Sequence, residues 1–156
     1  MSPANLAQIG EVIGVNEICL PEHYSRSFYE DLLRRFPKTF LVALHEGNVI
    51  GYVMCRMEFG FSELHKLKLT KKGHVVSIAV LPEHRRRGVG TMLMSQAMAG
   101  MREYGASESF LEVRVGNDAA IRFYESLGFR IVHRRAHYYI DGEDASVMVK
   151  SLSTWT

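Results

Sequence analysis

Apolar residues along this chain recur at two periods, and each change of period marks an element. Leu6, Ile9 and Ile13, followed by Asn16-Glu17, predict a weak first helix that Gly10 and Gly14 soften. Leu20-Pro21-Glu22-His23 then turns the chain into SRSFYEDLLRRF, a second helix that Pro37 ends. TFLVALHE and VIGYVMCRM flank Gly47-Asn48 and predict a β-hairpin. Residues 59–72 read as a loop or ragged strand running into Lys71-Lys72-Gly73. HVVSIAVL, residues 74–81, is dense in β-branched side chains and closed by Pro82, so it predicts a central strand. After RRRGVG, Val89, Met92, Leu93 and Ala97 return to helical spacing. SFLEVRV (109–115) predicts another strand, and NDAAIRFYESL a helix capped by Asn117 and stopped by Gly128. FRIVHRRAHYY and ASVMVKSL close the chain as two strands around Asp141-Gly142. Neither repeats nor linkers interrupt this order, which predicts one α/β domain over residues 1–156 built on a mixed sheet.

Composition narrows the class without naming a chemistry. With 156 residues, 47% apolar and 23% charged, the chain has the make-up of a globular domain with a sizeable core. A net charge of +2 argues against nucleic acid or an anionic membrane as partner. The basic stretches HRRR and HRRAH (133–137) lack any base-reading motif. No apolar run approaches the roughly 18 residues of a membrane span. MSPANLAQIG has neither the basic nor the apolar block of a secretory signal. Cys19 and Cys55 do not make a framework and are expected as buried free thiols. A cytoplasmic protein is the expectation.

LPEH occurs twice, at 20–23 and at 81–84, with unrelated flanks, and the second copy leads to the clearest chemistry. The strand 74–81 empties through Arg85-Arg86-Arg87-Gly88-Val89-Gly90-Thr91 into a helix. The first turn of a helix presents free N–H groups and the positive end of the dipole, and glycines let an anion approach closely. That pattern suits a pyrophosphate. It is neither a P-loop, which needs G-x-x-x-x-G-K-[ST], nor a three-glycine dinucleotide fingerprint.

A second strand-to-helix junction, VGNDAAIRFYESLGF, follows about 30 residues later, the distance of one strand–helix repeat. Taken together, R-R-R-G-V-G after V-x-S-I-A-V, and L-E-V-R-V-x-N-x-x-A-I-x-F-Y-E-x-L-G-F, resemble the GNAT family of acetyl-CoA-dependent N-acetyltransferases. CLPEHY (19–24), GHVVSIAV (73–80), LEVRVGN (111–117) and YYIDGEDA (138–145) are similar to the Ard1-type catalytic subunits that acetylate protein N-termini. The resemblance implies a single-domain GNAT fold. Its mixed sheet would have splayed parallel central strands flanked by about four helices, with the first edge strand short or missing. It implies acetyl-CoA as co-substrate, no required metal, and protein or peptide N-termini as substrate partners. Nascent chains or the ribosome are further candidates. A lysine or small-amine acceptor, or a coenzyme A sensor without turnover, are the alternatives.

Carried over residue by residue, the resemblance implies that Arg85, Arg86, Arg87, Gly88, Val89, Gly90 and Thr91 hold the pyrophosphate. The backbone of Ile78, Ala79 and Val80 would pair with the pantetheine arm and polarise the acetyl carbonyl. Asn117 would contact the cofactor in addition to capping its helix, and Tyr124 would protonate the leaving thiolate. Glu22 would help hold the attacking amine and select the first side chain, with Tyr24, Tyr138 and Tyr139 lining the peptide groove. His74 and Glu112 are the candidate bases. Alternation puts His74 in line with Val76, Ile78 and Val80, and Glu112 with Phe110 and Arg114. A salt bridge from Glu112 to a nearby arginine and a surface place for His74 are the structural alternatives. The same two residues are also weak candidates for a divalent metal.

Overall fold

The structure is a computed structural model and describes residues 1–153. Its strands are β1 (Ser2–Pro3), β2 (Phe40–His45), β3 (Asn48–Phe61), β4 (Leu69–Val80), β5 (Glu108–Arg114), β6 (Arg130–Arg135) and β7 (Ala145–Ser151). Its α-helices are α1 (Ile9–Cys19), α2 (Arg26–Arg35), α3 (Val89–Glu103) and α4 (Asp118–Ser126). The strands form one seven-stranded sheet in the order β1-β2-β3-β4-β5-β7-β6. The sheet is mixed, because β4 and β5 pair parallel whereas β1–β2, β2–β3, β5–β7 and β6–β7 pair antiparallel. The parallel register covers Lys72↔Glu108, Gly73↔Ser109 and His74↔Phe110, although β4 continues to Val80 and β5 to Arg114. No described helix is long and apolar enough to cross a membrane.

The first edge strand is short, as expected, pairing Ser2 with Val42 and Pro3 with Leu41. Two local expectations shift. The hairpin turns at Glu46-Gly47, one residue before the expected pair, and His45↔Asn48 closes it. Both turn residues have positive φ, 52° and 81°, which matches the strand twist as a two-residue hairpin turn must. Residues 59–72 form the ragged strand expected of them, since β3 reaches Phe61, β4 begins at Leu69 and a loop joins the two. Finally, β6 stops at Arg135, so His137–Ile140 belong to a loop and not to the strand.

The chain divides into two compact units, each assembled from two stretches of sequence. The first comprises Met1–Met57 and Val75–Tyr104. Ile9, Val12 and Val15 of α1 pack with Tyr29 and Leu32 of α2 and with Phe40, Val42, Tyr52 and Met54 of β2 and β3. Gly100 of α3 lies against the Lys38 carbonyl, where a Cβ would collide with it, so this helix can approach only with glycine there. Cys55 is fully buried, and Cys19 is half-buried with its thiol 3.5 Å from the Val80 carbonyl oxygen; both are free. One polar line crosses this apolar unit. Asn16, Tyr52 and Ser77 are all buried and bonded to one another.

The second unit comprises Glu58–His74 and Gly105 onward. One apolar cluster joins Phe110, Val147 and Val149, with Leu64 and Val132 against them, and Leu111, Phe129 and Met148 are buried as well. Charged groups are also buried here. Glu108 is 2% exposed, accepting from Ser62 Oγ at 2.7 Å and from the Glu63 amide, which ties residues 62–65 to the start of β5.

Candidate active site

In the first unit, the loop leaving β4 is built as an anion-binding turn. The Leu81 amide donates to the Ile50 carbonyl at 2.8 Å, holding the strand end, and a short 3-10 turn follows at Pro82–His84. Arg85 then folds back, its Nε donating to the Val80 carbonyl at 2.8 Å. That side chain therefore braces the loop. Arg86 and Gly88 both adopt left-handed backbone, φ 63° and 82°. An L-residue is rarely found there, so the turn is a tight one that the Gly88 position accommodates without cost. Gly88 is also the N-cap of the fifteen-residue helix α3, and no side chain caps that end. The amides of the first turn, Val89 to Thr91, are thus left for an external acceptor. Upstream, Ala79 is buried while Ile78 and Val80 are half-buried.

The first LPEH lies in the same unit, in the non-helical segment between α1 and α2. Glu22 and Tyr24 are half-buried there. Tyr24 stacks on Phe28 at 4.9 Å between centroids, and its hydroxyl lies 3.4 Å from the Val76 carbonyl oxygen.

The second unit brings the two candidate bases together. His74 Nε2 and Glu112 Oε1 are 2.7 Å apart, and His74 Nδ1 lies 3.1 Å from Glu58 Oε2. The imidazole is 7% exposed, which removes the surface reading for His74, and it stacks on Phe110 at 4.5 Å with 4° between planes. Burial works against a charge on His74, but the hydrogen bonds and charges of Glu112 and Glu58 outweigh it, so its pKa lies above the ordinary histidine value. The arginine contact suggested for Glu112 also exists: Arg135 Nε is 3.9 Å from its second oxygen. Arg135 reaches Glu63 at the same distance, and Glu63 further meets His133 at 2.8 Å and Lys72 at 3.4 Å. Burial alone would raise the Glu63 pKa; His133 and Lys72 overcome it and hold the carboxyl below its usual range. Among the described residues, no group of three or more His, Cys, Asp or Glu side chains is arranged to hold a metal ion.

Asn117 caps α4, accepting from the Ala120 amide at 3.1 Å through Oδ1, so its carbonyl oxygen is committed and its amide NH2 is the part that suits a ligand. Tyr124 is half-buried beside Phe123 and Phe129, sharing the α4 face of Ile121. Tyr138 and Tyr139 meet edge to face at 5.0 Å in the loop after β6. Arg114 fixes that loop, donating to Asp141 at 2.8 Å and Glu143 at 2.9 Å with its guanidinium 4.1 Å above the Tyr139 ring.

Two members of the base cluster escape a reading of the sequence. Glu58 falls between the hairpin strand ending at Met57 and the ragged stretch from residue 59, and Arg135 lies in the basic run of the strand FRIVHRRAHYY. Strand alternation continued past Met57 would have flagged Glu58. No local signal marks Arg135, because its partners lie more than 20 residues away in sequence.

Known proteins resemble the chain throughout. The family model described as Acetyltransferase (GNAT) family matches residues 10–129. A curated N-alpha-acetyltransferase of Sulfurisphaera tokodaii is 48% identical over 151 residues, which cover 96% of this chain and 90% of that protein. The crystal structure of Ard1 from Thermoplasma volcanium superimposes with a TM-score of 0.82 at 31% identity, covering 96% of this chain and 94% of that one. A chain of the NatB acetyltransferase complex bound to CoA and MES gives a TM-score of 0.81 at 28% identity, with 97% and 98% covered.

Proposed function

Because this chain belongs to the GNAT acetyltransferase family, we propose that it transfers the acetyl group of acetyl-CoA to the free α-amino group of protein N-termini. Both substrates would be bound together and the amine would attack the thioester directly. Nascent chains in the cytosol would supply such termini. The interleaving of both units along the sequence supports reading residues 1–156 as one catalytic domain.

The observation that carries this reading is the buried pair of His74 and Glu112, 2.7 Å apart. An α-amino group has a pKa of about 7.7–8.0, whereas a lysine lies near 10.4. Raising His74 above its ordinary value brings it toward the α-amino group, and proton transfer between matched groups is the most efficient. A lysine ammonium would still be far too weak an acid for it.

Acetyl-CoA supplies the activated acyl group, and this chain's residues bind and aim it. The uncapped amides of Val89–Thr91, beside Gly88 and under the charges of Arg86 and Arg87, suit the pyrophosphate. Arg85 shapes the turn from behind. Asn117 adds a side-chain amide to the cofactor contacts. The backbone of Ile78–Val80 offers N–H groups to the pantetheine arm and to the acetyl oxygen as it gains charge. The amine nitrogen forms a bond to the carbonyl carbon, and its surplus proton passes to His74, directly or through water. Glu112 stabilises the resulting imidazolium. The carbon–sulfur bond then breaks, and the thiolate takes the Tyr124 phenolic proton. Glu22 holds the incoming amine, which enters in the neutral form that roughly a tenth of α-amino groups already have near pH 7, while Tyr24, Tyr138 and Tyr139 flank the peptide backbone.

The test is a coenzyme A release assay on paired peptides that all contain lysine, with the N-terminus free in one set and blocked in the other. Turnover only with free N-termini is expected. Turnover on blocked peptides alone would replace the reading with lysine acetylation, and acetyl-CoA binding without turnover would replace it with a sensor.

A further inference from the structure

The polar line through the first unit has no part in the chemistry just described, yet it ends beside the first LPEH. Asn16 is 1% exposed, Tyr52 0% and Ser77 6%, in surroundings otherwise made of Val, Leu, Phe and Met. The bonds are a continuous series: His23 Nδ1 to Asn16 Oδ1 at 3.0 Å, Asn16 Nδ2 to Tyr52 Oη at 3.0 Å, and Tyr52 Oη to Ser77 Oγ at 2.6 Å. One assignment of protons satisfies all of them. Asn16 donates to Tyr52, its carbonyl oxygen accepts the His23 Nδ1–H, and the Tyr52 hydroxyl donates to Ser77. Burial keeps that hydroxyl protonated, raising the Tyr52 pKa although its bonds to Ser77 and Asn16 act the other way.

Three buried polar side chains gain no stability over apolar residues of the same shape, because each must first be stripped of water. They do impose a single register, since any slip leaves a buried donor or acceptor unpaired. A carboxamide does not relay protons between neighbours as water or imidazole does, so Asn16 interrupts the series as a proton path and leaves it a positional one. The positions it joins are informative. His23 reaches Ser77 through the series, and its neighbour Tyr24 reaches the Val76 carbonyl directly. Adjacent residues of the LPEH segment are therefore tied to adjacent residues of β4, immediately before Ile78.

We propose that His23, Asn16, Tyr52 and Ser77 form a positioning relay that fixes the segment bearing Glu22 and Tyr24 to β4 and thereby sets the affinity for the peptide substrate. The inference rests on the acetyl-transfer reading, in which Glu22 and Tyr24 face the peptide. None of the four is a catalytic residue.

Steady-state kinetics on the full chain separate this role from a purely structural one. Histidine Nδ1 is matched in place by an asparagine side-chain N–H, so His23→Asn keeps the donor and His23→Leu removes it at an exposed position that leaves the core intact. His23→Leu and Tyr52→Phe are expected to raise the peptide KM about fivefold, with the acetyl-CoA KM and kcat within about twofold. His23→Asn is expected to restore the peptide KM. An unchanged peptide KM in His23→Leu would overturn the proposal, as would a failure of His23→Asn to restore it. If the wild-type protein acetylates no N-terminus, the activity reading falls and the relay is judged by nitrogen-15 NMR of the His23 ring. A ring protonated on Nδ1 that loses this preference in Asn16→Leu supports the anchor, and a wild-type ring protonated mainly on Nε2 overturns it.

Discussion

The two units use polar groups in opposite ways. In the first, the interior is mostly apolar and its polar side chains, the Asn16–Tyr52–Ser77 line and Thr39, are neutral, while the groups proposed to bind the cofactor are backbone amides at the mouth of α3. In the second, buried groups carry charge: His74 and Glu112 pair below the surface, with half-buried Glu58 and exposed Arg135 completing the cluster. Backbone amides hold a fixed partial charge at every pH, which suits a site that must bind an anionic substrate under all conditions. Buried ion pairs are expensive to build, and their value lies in holding one group at a chosen pKa. The proposed mechanism gives binding to the first unit's turn and proton handling to the second unit's cluster, and each role can be attacked separately.

Glu112→Gln should have the largest effect. It is close to isosteric and removes the charge that stabilises the His74 imidazolium, so kcat at saturating substrates should fall about 100-fold. Circular dichroism should show the fold intact. A loss confined to the acetyl-CoA KM would move Glu112 out of proton handling.

Gly88→Val strikes the other unit. At φ 82° a β-branched residue is strained by about 1–2 kcal/mol, and relief requires the turn to reopen. There is open space around the position, so conformation and not crowding is the cause. The acetyl-CoA KM should rise about tenfold, as measured by initial rates or by calorimetric titration, with a smaller change in the peptide KM. Equal changes in both would blur the division between the units.

Glu58→Gln should produce the smallest effect and the most diagnostic one. The neutral imidazole is the active base, so kcat should rise as pH increases through the elevated His74 pKa. Removing the Glu58 charge lowers that pKa, so the acid limb should move to lower pH and activity below it should increase about two- to threefold. Stability runs the opposite way. A pKa raised in the folded state contributes stability that is complete below the unfolded value of about 6.5 and is lost as pH rises through the folded value. The margin in melting temperature of the wild type over Glu58→Gln should therefore narrow across that interval. An acid limb unmoved by Glu58→Gln would show that another group sets it.

Legibility in the sequence followed the range of the interactions. The turn at residues 85–91 could be read directly, because glycine position, arginine run and helix start are local facts. His74 and Glu112 were legible because an ionisable group on a central strand needs a purpose or a partner and the family resemblance supports both positions, whereas their pairing with each other was not. The hairpin was found with its turn displaced by one residue, because Glu46 in left-handed backbone is a cost that only the flanking pairs explain. Glu58 and Arg135 stayed hidden because their roles depend on partners distant in sequence. Asn16 and Tyr52 look like ordinary members of a helix and a strand, and nothing short of their burial tells them apart from surface polar residues.

One consequence concerns the order in which the protein can be made. Both units are discontinuous, and β4 contributes its first half to one and its second half to the other. All the residues of the first unit are synthesised once Tyr104 has been added, whereas the second lacks β5, α4, β6 and β7 until synthesis is nearly over. During translation every residue of the turn at 85–91 is therefore present while Glu58 and His74 are still without Glu112 and Arg135. A chain released early would carry that turn without the partners that complete the His74 cluster, so the proposed proton acceptor is assembled only with the last strands.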